Sequence, residues 1–62
     1  MEITFGGIIL CALTDDGEKI RDIPAFIVKD EAARQEKARL LSRILKAAVH
    51  DVGDDVLIVV RH

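Results

Sequence analysis

The chain has 62 residues and a formal net charge of −2, and half of its residues are apolar while 32% are charged. This length predicts one domain over residues 1–62, and the composition is typical of a folded chain. The slightly acidic balance argues against nucleic acid as a partner, because such binding draws on a basic surface. The longest apolar runs, residues 5–13 and 56–60, are much shorter than the roughly 20 residues of a membrane span.

The chain offers few ways to reinforce a small core. Cys11 is its only cysteine, which excludes a disulfide within one chain. Cys11, His50 and His62 share no ligand spacing, so we expect no metal site and no cofactor. Domains this small are marginally stable, which leaves a partner subunit as the expected reinforcement. Glu2 stands where a signal peptide would be basic, and with the lone thiol this predicts a cytoplasmic protein.

Residues 2–13 predict the first strand. The segment alternates at first and is then apolar on both faces, which is typical of a central strand. The Gly6-Gly7 pair predicts a bulge or bend within it.

Thr14-Asp15-Asp16-Gly17 predicts a β-hairpin turn, in which Gly17 takes a positive φ. Residues 18–28 then predict a second strand. Pro24 cannot donate a ladder hydrogen bond, so this strand is either an edge strand or broken at Pro24.

A long helix is expected next. Asp30 is a good N-cap, and the helix is predicted from Glu31 to about Asp51 or Val52, with Gly53 as its stop. The side predicted to face the sheet consists of Ala33, Leu40, Leu41, Ile44, Leu45, Ala48 and Val52. The opposite side carries Gln35, Arg39, Ser42, Arg43, Lys46 and His50. Residues 56–60 predict a last, buried strand.

These elements predict an α+β fold of β-β-α-β type. The three strands form an antiparallel sheet of order 2-1-3, which keeps Pro24 out of the central strand. One helix covers one sheet face, and the other face exposes Ile8, Leu10, Ala12 and parts of the outer strands. A monomer seldom leaves such a patch in water, so we expect self-association, with a two-fold homodimer favoured.

Four cations are candidate binding residues. Arg39, Arg43 and Lys46 form a basic helix stripe with His50, for which a plain solvated face is the alternative. Lys37 falls by helical phase near the apolar side. One interpretation is that the Lys37 and Arg34 side chains both extend into solvent. The other is that Lys37 is a cation at a sheet edge or dimer interface, where it pairs with an acid such as Asp22.

No catalytic, metal or nucleotide motif is present, so a non-enzymatic role is favoured over an enzymatic one. The favoured function is a small accessory protein that acts as a homodimer and binds another protein. The alternative is a small enzyme or ligand-binding protein with its site at a subunit interface, using Lys37, Asp22, Cys11 and His50. A weaker alternative is nucleic-acid binding through the basic stripe.

Overall fold

The computed structural model describes residues 7–62, which form a small α+β domain with one α-helix and a four-stranded mixed sheet. In chain order the elements are strand β1 (Ile8–Thr14), a 3-10 turn (Gly17–Lys19), strand β2 (Ala25–Ile27), helix α1 (Glu31–Leu45), strand β3 (Ala48–Gly53) and strand β4 (Val56–Arg61). The sheet order is β2-β1-β4-β3, in which only the β1–β2 pair is parallel. The α+β class is confirmed, while the predicted three-stranded antiparallel sheet is corrected to this arrangement.

Strand β1 lies inside the sheet and the last strand lies beside it, as the order 2-1-3 requires. The edge position of the second strand is also confirmed, although β2 is much shorter than residues 18–28. Pro24 precedes β2, and its carbonyl accepts a hydrogen bond from the Ala12 N–H at 2.9 Å. The part of the first-strand prediction on residues 2–6, including Gly6, lies outside the described residues. The bulge in β1 falls between Ile9 and Cys11.

The predicted hairpin at residues 14–17 is wrong, because β1 and β2 run parallel. The Thr14 hydroxyl accepts from the Asp16 N–H at 3.3 Å, and the Asp16 carboxylate accepts from the Glu18 N–H at 3.0 Å. Asp16 thereby caps the 3-10 turn instead of closing a hairpin. Gly17 does not take the predicted positive φ, which occurs farther along this connection at Asp22 (φ 69°).

Helix α1 begins where the sequence predicts it and ends earlier. The Asp30 carboxylate accepts from the Ala33 N–H at 2.8 Å, which confirms the N-cap. The helix stops at Leu45 because Lys46 turns to the left-handed region at φ 53° and ψ 53°. The Ser42 hydroxyl donates to the Ala47 carbonyl at 2.6 Å and closes this end.

Residues 48–53 therefore form a strand, where a helix was predicted. Strand β3 pairs with β4 through a two-residue turn at Asp54 and Asp55, whose φ values of 56° and 59° suit a hairpin. Gly53, predicted as a helix stop, has a φ of 86° and lies beside this turn. The β-branched residues of this segment favour a strand paired with β4 over the last turn of a helix.

The core lies between α1 and one face of the sheet. Its buried members are Cys11, Leu13, Ala38, Leu57 and Val59. The prediction that the second face of the sheet is exposed is wrong in part. Ala12 and Val60 are 0% exposed, while Leu10 packs against the core on the helix side. The 3-10 turn lies over the second face. Its closeness is shown at Gly17, where an added Cβ would come within 2.8 Å of the Ile27 side chain.

Candidate protein-interaction surfaces

The position of α1 depends on a buried arginine. Arg34 is 3% exposed and donates to the Val28 carbonyl at 2.9 Å, the Lys29 carbonyl at 3.3 Å and the Asp55 carboxylate at 3.1 Å. These bonds join the segment before the helix to the β3–β4 turn. The prediction that Arg34 extends into solvent is wrong, since apolar periodicity carries no signal for a guanidinium that turns inward to meet carbonyls.

Arg34 also decides which face of α1 packs on the sheet. Arg34 and Ala38 are buried, and Leu41 and Leu45 continue the same face toward the core. Leu40 and Ile44, which were predicted to face the sheet, are 45% and 74% exposed. The helix therefore presents two different flanks, one toward β2 and one toward β3.

The flank toward β2 is apolar. The Lys37 ammonium lies 5.5 Å from the centre of the Phe26 ring, within range of a cation–π interaction. Leu40 and Ile44 follow Lys37 at positions i+3 and i+7 on the same side of α1. Phe26 is 39% exposed, so three large apolar side chains share this surface with one cation. We call Phe26, Lys37, Leu40 and Ile44 the apolar flank.

The flank toward β3 borders a groove. Its floor and one wall are made of small or apolar side chains, and its rim is polar. The lining residues are Ala32, Gln35, Glu36, Ala38, Arg39, Ser42 and Val49, around a volume of about 600 Å³. Ala32 is exposed and contributes only a methyl group to the lining of this groove. We call it the α1–β3 groove.

Carboxylates gather where this groove reaches the β3–β4 turn. Glu31, Asp51, Asp54 and Asp55 border a second cavity that shares Gln35 with the groove. Arg34 forms an ion pair with Asp55, and the Lys19 ammonium lies 3.6 Å from the Asp54 carboxylate. Glu31 and Asp51 form no ion pair with any of residues 7–62. The cavity that adjoins the groove is therefore acidic at Glu31 and Asp51, and we call it the acidic end of the groove.

The predicted basic stripe is only partly assembled. Arg39 and Arg43 lie on α1 and Lys46 caps its end, while His50 lies on β3. Arg39 is hydrogen-bonded to Glu36, which raises the pKa of its guanidinium and offsets its charge. The role of Arg39, Arg43, Lys46 and Lys37 in binding stays a prediction. Lys37 contacts Phe26, and no ion pair between Lys37 and Asp22 forms.

The residues proposed for an interface enzyme are not brought together. Cys11 belongs to the core on the helix side, and its burial raises the pKa of its thiol. His50 pairs with Ile58, which alternates with the core residues Leu57 and Val59 and so lies on the second face. There the His50 and His62 Nε2 atoms are 3.3 Å apart, beside a depression that Val52 and Ile58 also line. The sheet separates the thiol from the imidazole.

Lys19 ties the 3-10 turn to the β3–β4 turn. The Lys19 ammonium donates to the Asp15 carboxylate and to the Asp54 carbonyl, both at 2.9 Å. The hydrogen bond between the two side chains lowers the pKa of Asp15 and raises the pKa of Lys19. Sequence reasoning missed this contact, because the β3–β4 turn it reaches was not predicted.

No group of three or more His, Cys, Asp or Glu residues within residues 7–62 is arranged to hold a metal ion. None of the helices in this part of the chain has the length and apolar character needed to cross a membrane.

A small α+β scaffold with an apolar flank and an open groove presents surfaces of the kinds that proteins use to contact one another. The family model described as "Capping complex subunit for YIEGIA" matches residues 7–62, and the chain belongs to this family. It is accordingly a small subunit of a capping complex, whose partners are proteins. Comparisons with curated proteins and with solved structures found no match.

Proposed function

We propose that this protein is a non-enzymatic subunit that binds the YIEGIA protein directly and acts as a homodimer. Membership in the family of capping complex subunits for YIEGIA carries the first part of this proposal. The surfaces support it, since the chain presents a groove and an apolar flank of the kinds that proteins use to bind one another.

The apolar flank supports self-association. Ile44 is the most exposed of the large apolar side chains in the described part of the chain, and Leu40 lies one turn before it. A two-fold axis beside α1 would place these residues against the same residues of a second copy, as an isologous dimer requires. Phe26 and the stem of Lys37 would complete the apolar contact.

The size of the apolar flank predicts a reversible dimer. Full burial of a Leu, Ile or Phe side chain contributes roughly 1.5–3 kcal/mol, and these side chains are already partly buried. Three of them from each copy give a total similar to the cost of association, about 4–15 kcal/mol. The dimer should therefore dissociate on dilution.

Co-expression of the tagged protein with YIEGIA tests the first part of the proposal. The expected result is a stoichiometric complex that survives size exclusion. Recovery of the tagged protein without YIEGIA, under conditions in which both are folded, would contradict direct binding.

Light scattering over a dilution series tests the dimer. The doubly substituted variant Leu40→Ser, Ile44→Ser should remain a monomer at concentrations where the wild type is a dimer. Val52→Ser is the matched control, because Val52 is 56% exposed but lies on β3. A monomeric wild type at every concentration would remove the homodimer from the proposal.

A further inference from the structure

We propose that the outer edge of β3 binds an extended segment of the YIEGIA protein as a fifth strand, with alternate side chains of that segment in the α1–β3 groove. This inference rests on the proposed function, because it takes YIEGIA as the partner. It adds the surface, the conformation of the bound segment and the type of residue that the segment must carry.

The first support is the open edge of β3. Strand β3 is six residues long, and β4 is its only neighbour among residues 7–62. On the outer side of an edge strand the backbone N–H and C=O groups have no ladder partner. Such an edge can pair with a strand of another chain. Many edges are blocked by a proline or a lysine, and β3 contains neither. Its bulge lies at the turn end, between Asp51 and Gly53.

The second support is the groove beside this edge. In an added strand, alternate side chains point to opposite faces of the sheet. Those on the helix side would enter the α1–β3 groove over Val49 and Ala38. Those on the other side would lie toward the depression lined by Val52 and Ile58. The edge thus has a recess on each face, as strand addition requires for side-chain recognition.

The third support is the character of the groove. A bound helix would need a broad apolar surface, but the rim here consists of Gln35 and the Glu36–Arg39 pair. A helix also satisfies its own backbone and would leave the β3 edge unpaired. An extended segment meets both conditions, because it supplies backbone groups to the edge and small apolar side chains to the floor.

The charge of the groove specifies one further feature of the segment. Glu31 and Asp51 stand at the turn end without an ion pair among residues 7–62. A lysine or arginine in the segment, placed where it passes the β3–β4 turn, would meet both carboxylates. The segment is therefore expected to be small and apolar over Ala38 and basic near Asp51.

Filling the groove is the sharpest test. Ala32 is exposed and lines the groove, while the adjacent Ala33 is exposed and does not line it. Ala32→Phe should weaken the capture of YIEGIA at least tenfold, and Ala33→Phe should leave it within about twofold. Both substitutions add the same side chain to the same helix turn, so circular dichroism should show equal helix content.

Neutralising the acidic end tests the charge. Glu31→Gln together with Asp51→Asn should weaken capture about twofold to tenfold and reduce its dependence on salt. Glu18→Gln is the control, because Glu18 lies in the 3-10 turn and outside both the groove and the acidic cavity. Capture that is equally strong and equally salt-dependent in the double variant would overturn the basic residue in the segment.

Hydrogen exchange locates the bound segment. Addition of YIEGIA should slow the exchange of amides in β3, and the amides of β2 (Ala25–Ile27), at the opposite edge of the sheet, should change little. Normal capture by Ala32→Phe, without protection of β3, would overturn this inference and leave the proposed function intact. Protection of β3 that depends only on the concentration of the protein itself would assign the edge to a second copy and would also overturn it. Failure of the wild type to bind YIEGIA would overturn both.

Discussion

Arg34→Ala should destabilise this domain more than any change at the acid with which Arg34 pairs. The substitution removes three donated hydrogen bonds, of which two go to the main-chain carbonyls of Val28 and Lys29. The third goes to Asp55, whose side chain is 53% exposed and can be hydrated instead. The two carbonyls have a fixed position before α1, so their loss of a donor is the larger effect.

The magnitude follows from the burial of each group. A hydrogen bond to a charged group contributes about 1.5–3 kcal/mol, and the 3.3 Å contact to Lys29 is the weaker of the two carbonyl bonds. We expect Arg34→Ala to lower the free energy of unfolding by about 2–4 kcal/mol. A chain of this size has a total of about 3–9 kcal/mol. The melting temperature should fall by roughly 10–25 °C.

Two further variants separate the carbonyl bonds from the ion pair. Asp55→Asn keeps an acceptor for Arg34 and should cost at most about 1 kcal/mol, because the Asp55 side chain is 53% exposed and water screens its charge. Arg34→Lys keeps the charge but loses the planar fork of donors, so its cost should lie between the other two.

Urea unfolding followed by far-ultraviolet circular dichroism is the suitable assay, since the chain contains no Trp or Tyr for fluorescence. A loss below about 1 kcal/mol for Arg34→Ala would refute the anchoring role of the guanidinium. Equal losses for Arg34→Ala and Asp55→Asn would instead show that the ion pair carries the effect.

Three further predictions concern the turns, the pH dependence and the thiol. Gly53→Ala should cost about 1–2 kcal/mol, because Gly53 has a φ of 86°, although nothing lies within 4 Å of the added Cβ. Gly17→Ala should cost less than about 1 kcal/mol, because its Cβ would meet only the flexible end of an isoleucine; urea midpoints that rank these two variants in reverse order would contradict this. Lys19 lowers the pKa of Asp15, so the stability from this carboxylate is present above the unfolded pKa of about 4 and is lost as the pH falls through the lower folded value. Asp15→Asn should flatten the acid limb of the stability profile, and an unchanged limb would contradict the contact. Burial raises the pKa of the Cys11 thiol, so the native protein should react with a thiol reagent much more slowly than the unfolded protein; similar rates would show that the strand opens readily.

The local signals of the sequence determined several elements of this protein. Asp30 and Glu31 begin α1 as predicted, since a helix N-cap depends on a few neighbouring residues. The apolar segments at residues 8–13 and 56–60 are adjacent strands, because runs that are apolar on both faces need the inside of a sheet. Pro24 lies next to an edge strand because its nitrogen has no hydrogen to donate.

Tertiary contacts decided the direction of β2 and the end of α1. The Asp residues after β1 favour a hairpin by composition, but their side chains cap a 3-10 turn and the chain returns to pair in parallel. Ala48 and Val52 fit a helical period and a strand equally well. Pairing with β4 determined the outcome, because the hydrogen bonds of a sheet depend on residues distant in sequence.

The interaction surfaces were hardest to derive, since they follow from the rotation of α1 about its axis. A count of apolar residues placed Leu40 and Ile44 against the sheet. Arg34 lies on the buried side of α1 instead, where it binds two carbonyls and the Asp55 carboxylate. The side that carries Leu40 and Ile44 therefore faces solvent as the apolar flank. The sequence by itself determined which segments are apolar, charged or able to begin a helix. The tertiary structure alone decided which of them face water, because a buried polar group is stable only where distant parts of the chain supply its partners.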